Sequence, residues 1–200
     1  MSKNFTFFGG MCGLIASPLF ILLYSIAWSL SPWYVLGENY PSDLGVGGGA
    51  LAFNSGTIIS GVLALPFAMT LWRMLGRSRL SSLGCLLLAA SGVALISIGV
   101  FTEDYGVIHF AVSALFFLLV LLSQILLAWP LVNSPKFKIV GISVTVLMVG
   151  TLSSLPLVGP GPLAETIAVI EILIWSFAVA SQTTRIILKE RKVLSQRGPP

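Results

Sequence analysis

The chain has 200 residues, of which 56% are hydrophobic and 9% are charged, and its mean hydropathy is +0.98. A water-soluble domain carries roughly 25% charged residues, so this composition excludes a soluble core and predicts an integral membrane protein. The pI of about 9.3 does not indicate nucleic-acid binding, because the basic residues lie in short groups between apolar runs rather than on one face.

Six apolar runs follow one another along the chain. They occupy residues 7–30, 51–72, 82–101, 108–130, 139–158 and 163–188. An α-helix of about 20 residues crosses ~30 Å of hydrocarbon, so each run is long enough to span a bilayer. The sequence therefore predicts an all-α, multi-pass bundle of six transmembrane helices over residues 1–192, followed by a C-terminal tail at 193–200.

The distribution of basic residues predicts the orientation of this bundle. Lys and Arg occur before the first run, between the second and third, between the fourth and fifth, and after the sixth, whereas the alternate connections contain none. The protein is expected in the plasma membrane of the cell. By the positive-inside rule, both of its termini are expected on the cytoplasmic side. Anionic lipids of the inner leaflet are the expected partners of Arg73, Arg77, Arg79, Lys136, Lys138, Lys189, Arg191 and Lys192.

The second run carries small residues at helical spacing. Gly48, Ala52, Gly56 and Ser60 recur every four residues. Small residues at this interval let two helix backbones approach closely, so the pattern predicts a packing face. It leaves open whether the partner is another helix of this chain, a second copy, or a different membrane protein.

Few polar side chains fall within the runs. Besides scattered Ser and Thr, the main ones are Asn54, His109, Gln124, Glu165 and Glu171. Glu171 lies about eight residues into the sixth run, hence ~12 Å from its outer end, where an ionised carboxylate is costly. Two interpretations stay open for it: a carboxyl that carries a proton, substrate or metal, or a neutral carboxyl bonded to a neighbouring helix.

The one histidine, His109, lies one turn into the fourth run, just after Glu103 and Asp104. Glu165 begins the sixth run at a depth that His109 can share, so we expect His109 to approach a carboxylate directly or through water. The alternative is an acidic loop that caps a helix beside an interfacial His. The full candidate pocket comprises Asp43, Asn54, Glu103, Asp104, His109, Glu165 and Glu171.

The sequence favours neither a metal nor a cofactor. A zinc site usually needs more than one His or a pair of Cys ligands, and no phosphate-binding glycine motif is present. Cys12 and Cys85 are each expected near the cytoplasmic end of a helix, where reducing conditions favour free thiols.

Three segments resemble a known family: residues 40–45 (YPSDLG), 52–56 (AFNSG) and 99–110 (GVFTEDYGVIHF). They are similar to domain-of-unknown-function family 998, a prokaryotic group of six-helix membrane proteins with a distant likeness to eukaryotic DRAM-like proteins. The resemblance implies that six residues occupy recurring positions of the family: Ser42, Asp43, Gly45, Asn54, Glu103 and His109. It implies no activity, and it does not extend to Glu165 or Glu171.

Together, these features predict a membrane protein whose polar pocket near the outer leaflet binds or modifies a lipid-like amphiphile. Apolar walls would hold the chain of the ligand, and convergent polar groups would hold its headgroup. Two alternatives stay open: a proton-coupled transporter of small solutes that uses Glu171, and a non-catalytic assembly subunit that packs through its second helix. A lateral opening would favour the first reading, a through-going polar path the second, and a solid core the third.

Overall fold

The computed structural model describes residues 3–76 and 78–196 of the chain. Its six long α-helices are α1 (Lys3–Ser29), α2 (Ala50–Leu75), α3 (Arg79–Val100), α4 (Val107–Asn133), α5 (Lys138–Val158) and α6 (Pro162–Gln196). Short 3₁₀ helices lie at Pro41–Gly45, Gly47–Gly49 and Glu103–Tyr105. All six long helices are apolar enough to cross a membrane, which confirms the predicted all-α bundle of transmembrane helices.

The helices extend beyond most of the predicted apolar runs. The largest difference is at α6, which continues to Gln196, so residues 193–196 of the expected tail are helical. The segment after Leu188 is rich in Lys, Arg and Glu, which favour helix without needing an apolar environment. The rest of the expected tail, residues 197–200, and Arg77 lie outside the described residues.

The six helices form a ring in which each packs against its neighbour in sequence and α6 packs against α1. The connections 30–49, 101–106 and 159–161 meet at one end, called here the acidic end because it contains Asp43, Glu103 and Asp104. The opposite end, with both termini, is called the basic end.

The fifth helix is the least embedded member of the ring. Its buried residues are Gly141, Val144 and Met148, all in the half nearest the basic end. None of residues 149–158, all of which the structure describes, is buried. The second half of α5 therefore stands away from α4 and α6.

Gly56 and Ser60 of α2 pack against α1 of the same chain, and Gly48, just before α2, packs against Leu30, just after α1. A Cβ atom at Gly48 would lie 2.9 Å from the carbonyl oxygen of Leu30, and one at Gly56 would lie 3.2 Å from Cβ of Leu23. The Ser60 hydroxyl donates to the carbonyl of Ala16 at 3.4 Å. This face of α2 thus has an intramolecular partner.

The interior near the basic end is filled. A cluster of buried apolar side chains joins α2, α3, α4, α5 and α6 there, and its members include Phe67, Leu71, Leu88, Leu127, Leu131, Trp175 and Val179. Cys12 and Cys85 are buried free thiols, as the sequence predicts. The space that remains in the bundle lies closer to the acidic end.

Candidate functional site

A short cap closes the acidic end of the bundle. Pro41 begins the 3₁₀ helix Pro41–Gly45, and its fixed backbone angle suits a first helical position. Oδ2 of Asp43 accepts a hydrogen bond from the backbone N–H of Tyr40 at 2.9 Å. The side chains of Ser42 and Leu44, which belong to this 3₁₀ helix, are buried. Asp43, a predicted pocket residue, thus stabilises the turn in which it lies.

Asn54 ties this cap to α2. Its Nδ2 donates to the carbonyl of Gly45 at 2.9 Å. A Cβ atom at Gly45 would lie 2.8 Å from Oδ1 of Asn54, so a side chain at this position would displace the Asn54 amide. Oδ1 is buried and has no hydrogen-bond partner among the described residues. The family-like segments 40–45 and 52–56 therefore form one structural junction.

His109 is held within its own hairpin. Nδ1 lies 2.7 Å from the carbonyl oxygen of Phe101. Since a carbonyl only accepts, Nδ1 carries the proton and donates, and Nε2 faces the Ser113 hydroxyl at 3.4 Å. No carboxylate among the described residues hydrogen-bonds to this ring, so the direct form of the predicted contact with an acid is wrong. The ring donates instead to the carbonyl of Phe101, the residue directly after α3, and a contact with an acid through water stays a prediction.

Three of the predicted acids come together at the acidic end: Asp43, Glu103 and Glu165. The pKa of Glu103 is raised to about 7. Burial is the largest cause, and the neighbouring carboxyl of Asp43 and the charges of Glu165 and Asp104 add to it. Oε2 of Glu103 is buried and has no hydrogen-bond partner among the described residues. Asp104 is exposed at the edge of this group. The group concentrates negative charge where the cap meets α4 and α6.

Two tyrosines that the sequence analysis did not identify lie beside these acids. The hydroxyls of Tyr24 and Tyr34 are 2.6 Å apart. Burial raises the pKa of Tyr34, and the charges of Asp43 and Glu165 raise it further. Tyr24 lies within an apolar run, and nothing in the sequence indicates that the loop after α1 returns Tyr34 to it.

A central cavity of about 120 Å³ lies inside the ring, below the cap. It is bounded by α1, α2, α3, α4 and α6, and most of its walls are aromatic or aliphatic, such as Phe20, Phe53, Leu88, Phe116 and Val169. The hydroxyls of Thr57, Ser60 and Ser91 also line it, but each donates to a backbone carbonyl. The hydroxyls of Ser17 and Ser176 line it as well, so its inner walls are mainly, rather than wholly, apolar.

The polar end of this cavity is the acidic end. Ser42 of the cap, Ser113 of α4 and Glu165 of α6 line it there. Ser113 also faces His109, so His109 reaches the cavity through this hydroxyl rather than directly. The arrangement places one carboxyl and two hydroxyls at one end of an apolar chamber.

A second, lateral cavity of about 260 Å³ lies between α4, α5 and α6. Glu165 lines both cavities, as do Phe117, Val120 and Ile172, so the two adjoin. On the α5 side the wall is formed by Thr151, Leu152 and Leu155, together with Met148. Because the second half of α5 stands off from the bundle, this cavity lies towards the surrounding lipid.

Glu171 lies at the lateral cavity, deeper in the bundle than Glu165, which also lines it. It is 6% exposed, and its Oε2 accepts a hydrogen bond from Nε2 of the buried Gln124 at 3.1 Å. Its Oε1 is buried and has no hydrogen-bond partner among the described residues. The predicted pocket is thus divided: Asp43, Glu103 and Glu165 meet near the cap, whereas Glu171 lies deeper beside α4.

No group of three or more His, Cys, Asp and Glu side chains in the described part of the chain is arranged to hold a metal ion. At the basic end, three of the predicted lipid-binding residues have partners within the described part of the protein. The Arg73 guanidinium lies 5.5 Å from the centre of the Phe5 ring. Lys136 pairs with Glu190 at 2.6 Å, and the Arg191 guanidinium lies 4.3 Å from the centre of the Phe7 ring. Contact of the basic residues with anionic lipid stays a prediction.

A family model described as "Protein of unknown function (DUF998)" matches residues 14–182. The match spans the cap, the lateral cavity, the His109 hairpin and every lining residue of the central cavity except Gly13, and it confirms the family that the three sequence segments indicate. No curated protein and no solved structure matches the chain significantly.

Proposed function

The chain belongs to the DUF998 family, and we propose that it binds a single-chain, lipid-like amphiphile in the central cavity. The observation that carries this proposal is that the cavity has one polar end. Its inner walls are mainly apolar, whereas Glu165, Ser42 and Ser113 line it at the acidic end. An alkyl chain would occupy the inner part, and a headgroup would lie against the carboxyl and hydroxyls. The volume of about 120 Å³ suits a segment of one chain rather than two.

The charge at the acidic end favours a headgroup that is not anionic. The connections at this end contain no Lys or Arg, but they contain Glu38, Asp43, Glu103 and Asp104. Glu165 adds another carboxyl at the cavity itself. An anionic headgroup would meet Coulomb repulsion there, whereas a hydroxyl could donate to a carboxyl oxygen.

The lateral cavity supplies a route from the membrane to the central cavity. The two adjoin at Glu165, Phe117 and Ile172, between α4 and α6. An amphiphile moving in the bilayer can keep its chain in an apolar environment along this route, while its headgroup remains near the acidic end. Entry from the lipid phase avoids transfer of the chain through water.

The two alternative functions are less well supported. A transporter needs a polar path from end to end, but the interior near the basic end is filled by the apolar cluster that includes Leu71, Leu127 and Trp175. A purely structural subunit needs no cavities beside buried carboxyls, and its expected packing face on α2 is already occupied by α1.

Photolabelling of the protein in lipid nanodiscs tests the proposal. The probes are a diazirine-bearing fatty alcohol and the fatty acid of the same chain. We expect the alcohol to label residues of α2 and α3 that line the central cavity, and the acid to label them less. Ser176→Phe, which places a ring in the cavity, should abolish this labelling.

Ile174→Phe is the matched control, because Ile174 is on the same helix but is exposed on its outer face. It should leave the labelling intact. Equal labelling of the wild type and of Ser176→Phe would show that the central cavity does not bind the amphiphile.

A further inference from the structure

The lateral cavity contains a buried carboxyl that the function proposed above does not use. Glu171 is 6% exposed, and the side chains around it in this cavity are mainly apolar: Phe117, Val120, Leu121, Met148 and Ile172. Gln124 engages one carboxyl oxygen, and Oε1 is left without a hydrogen-bond partner among the described residues. A buried polar atom without a partner is costly, so its presence calls for a specific reason, of which a ligand is one.

The chemistry of this oxygen points to a cationic group. The lateral cavity is lined by two acids, Glu165 and Glu171, and by no Lys, Arg or His. A ligand hydroxyl could equally be bound by a neutral amide in place of Glu171, whereas an ammonium group gains from a carboxylate by charge pairing. The apolar walls would then hold an alkyl chain attached to that ammonium group.

We propose that the lateral cavity is a second binding site, which takes the ammonium group of an alkylamine at Oε1 of Glu171. Gln124 is the positioning residue: its amide donates to Oε2 and leaves Oε1 without a hydrogen-bond partner among the described residues. The volume of about 260 Å³ accommodates a short alkyl chain between α4 and the exposed half of α5. The site uses α5, which contributes no residue to the central cavity, so occupation of one does not require occupation of the other.

Equilibrium binding of radiolabelled octylamine to the protein in nanodiscs tests this site, with protein-free nanodiscs subtracted for partition into lipid. At neutral pH octylamine is cationic, and octan-1-ol is the neutral ligand of the same chain length. We expect saturable binding of octylammonium that an excess of octan-1-ol does not displace. Glu171→Gln, which keeps the shape but removes the charge, should weaken binding by at least about tenfold.

Three further variants distinguish loss of the binding site from a general effect on folding. Glu190→Gln removes a carboxyl from the same helix at the basic end, outside both cavities, and should bind like the wild type. Ala168→Phe fills the lateral cavity without changing Glu171 and should also abolish binding, whereas Ile170→Phe on the exposed face should not.

Unchanged affinity in Glu171→Gln and Ala168→Phe, or full displacement by octan-1-ol, would overturn the proposal. Neither result would bear on the central cavity, which is tested by its own probes and by Ser176→Phe.

Discussion

Gly61 of α2 and Gly92 of α3 face each other backbone to backbone. A Cβ atom at Gly61 would lie 2.5 Å from the carbonyl oxygen of Gly92, and a Cβ atom at Gly92 would lie 2.9 Å from that of Gly61. The contact is reciprocal, so neither helix can accept a side chain there unless the two move apart. Close approach of this kind strengthens the dispersion contacts that hold helices together in lipid.

Gly92→Leu should therefore destabilise the bundle. Overpacking of a close helix contact costs about 1–3 kcal/mol, and the melting temperature of the protein in detergent should fall. Gly150→Leu is the matched control, because a Cβ atom at Gly150 meets nothing within 4 Å. Equal melting temperatures for the two variants would contradict the contact between Gly61 and Gly92.

Asn54→Ala should loosen the cap at the acidic end. The substitution removes the donor to the Gly45 carbonyl and leaves that carbonyl without its partner, at a cost of about 1–3 kcal/mol. Asn133→Ala removes a hydrogen bond of the same kind to the Trp129 carbonyl, but from an exposed residue, and should cost less. Unfolding in mixed micelles measures the difference, and a larger loss in Asn133→Ala would refute the role assigned to Asn54.

Glu103 should make stability depend on pH. Its pKa of about 7 in the folded protein lies above its ordinary value of 4.5. Below pH 4.5 both the folded and unfolded states are protonated, whereas with rising pH the unfolded chain ionises first, so stability is lost as the pH approaches and passes 7. Glu103→Gln should match the wild type at pH 4.5 and melt at a higher temperature at pH 8. Glu38→Gln, at an exposed acid of the same end, controls for the loss of one negative charge. A stabilisation of Glu103→Gln that is the same at both pH values would argue against burial as the cause.

Cysteine labelling of intact cells tests the orientation of the bundle. We expect Cys introduced at Glu38 or Pro160 to react with a membrane-impermeant maleimide added outside, and Cys at Ser78 or Pro135 to be protected. All four positions are accessible or partly accessible in the structure, and the native Cys12 and Cys85 are buried, so background reaction should be low. Ser42, at the same end of the bundle as Glu38, is unsuitable because its side chain is buried. The reverse pattern would invert the assigned topology.

Hydropathy and helix length were sufficient to predict the six helices, because each must satisfy its backbone hydrogen bonds within the bilayer. The meeting of Asp43, Glu103 and Glu165 at one end also follows from the sequence, since all three lie at the same end of antiparallel helices. The hydrogen-bond partner of His109 could not be predicted from the sequence. Whether its ring meets a carboxylate or the Phe101 carbonyl depends on the angle at which α3 turns into α4, and no residue type encodes that angle.

The partner of Glu171 could not be predicted for a similar reason. Gln124 is visible in the sequence as a polar residue within a span, but it lies 17 residues after the start of α4, whereas Glu171 lies nine residues after the start of α6. A prediction that pairs residues at equal distances from the acidic ends of their helices would therefore not pair Gln124 with Glu171. Their contact arises from the relative shift and tilt of the two helices, which only the assembled bundle determines.

The loose attachment of α5 has a consequence for how the membrane itself acts on the protein. With 21 residues, α5 is the shortest of the six spanning segments, and none of the residues in its second half, 149–158, is buried against neighbouring helices. Its tilt should therefore follow the hydrocarbon thickness of the bilayer: a thick membrane draws it upright, and a thin one lets it lean. Since Thr151, Leu152 and Leu155 form one wall of the lateral cavity, the width of that cavity should change with the acyl-chain length of the surrounding lipids.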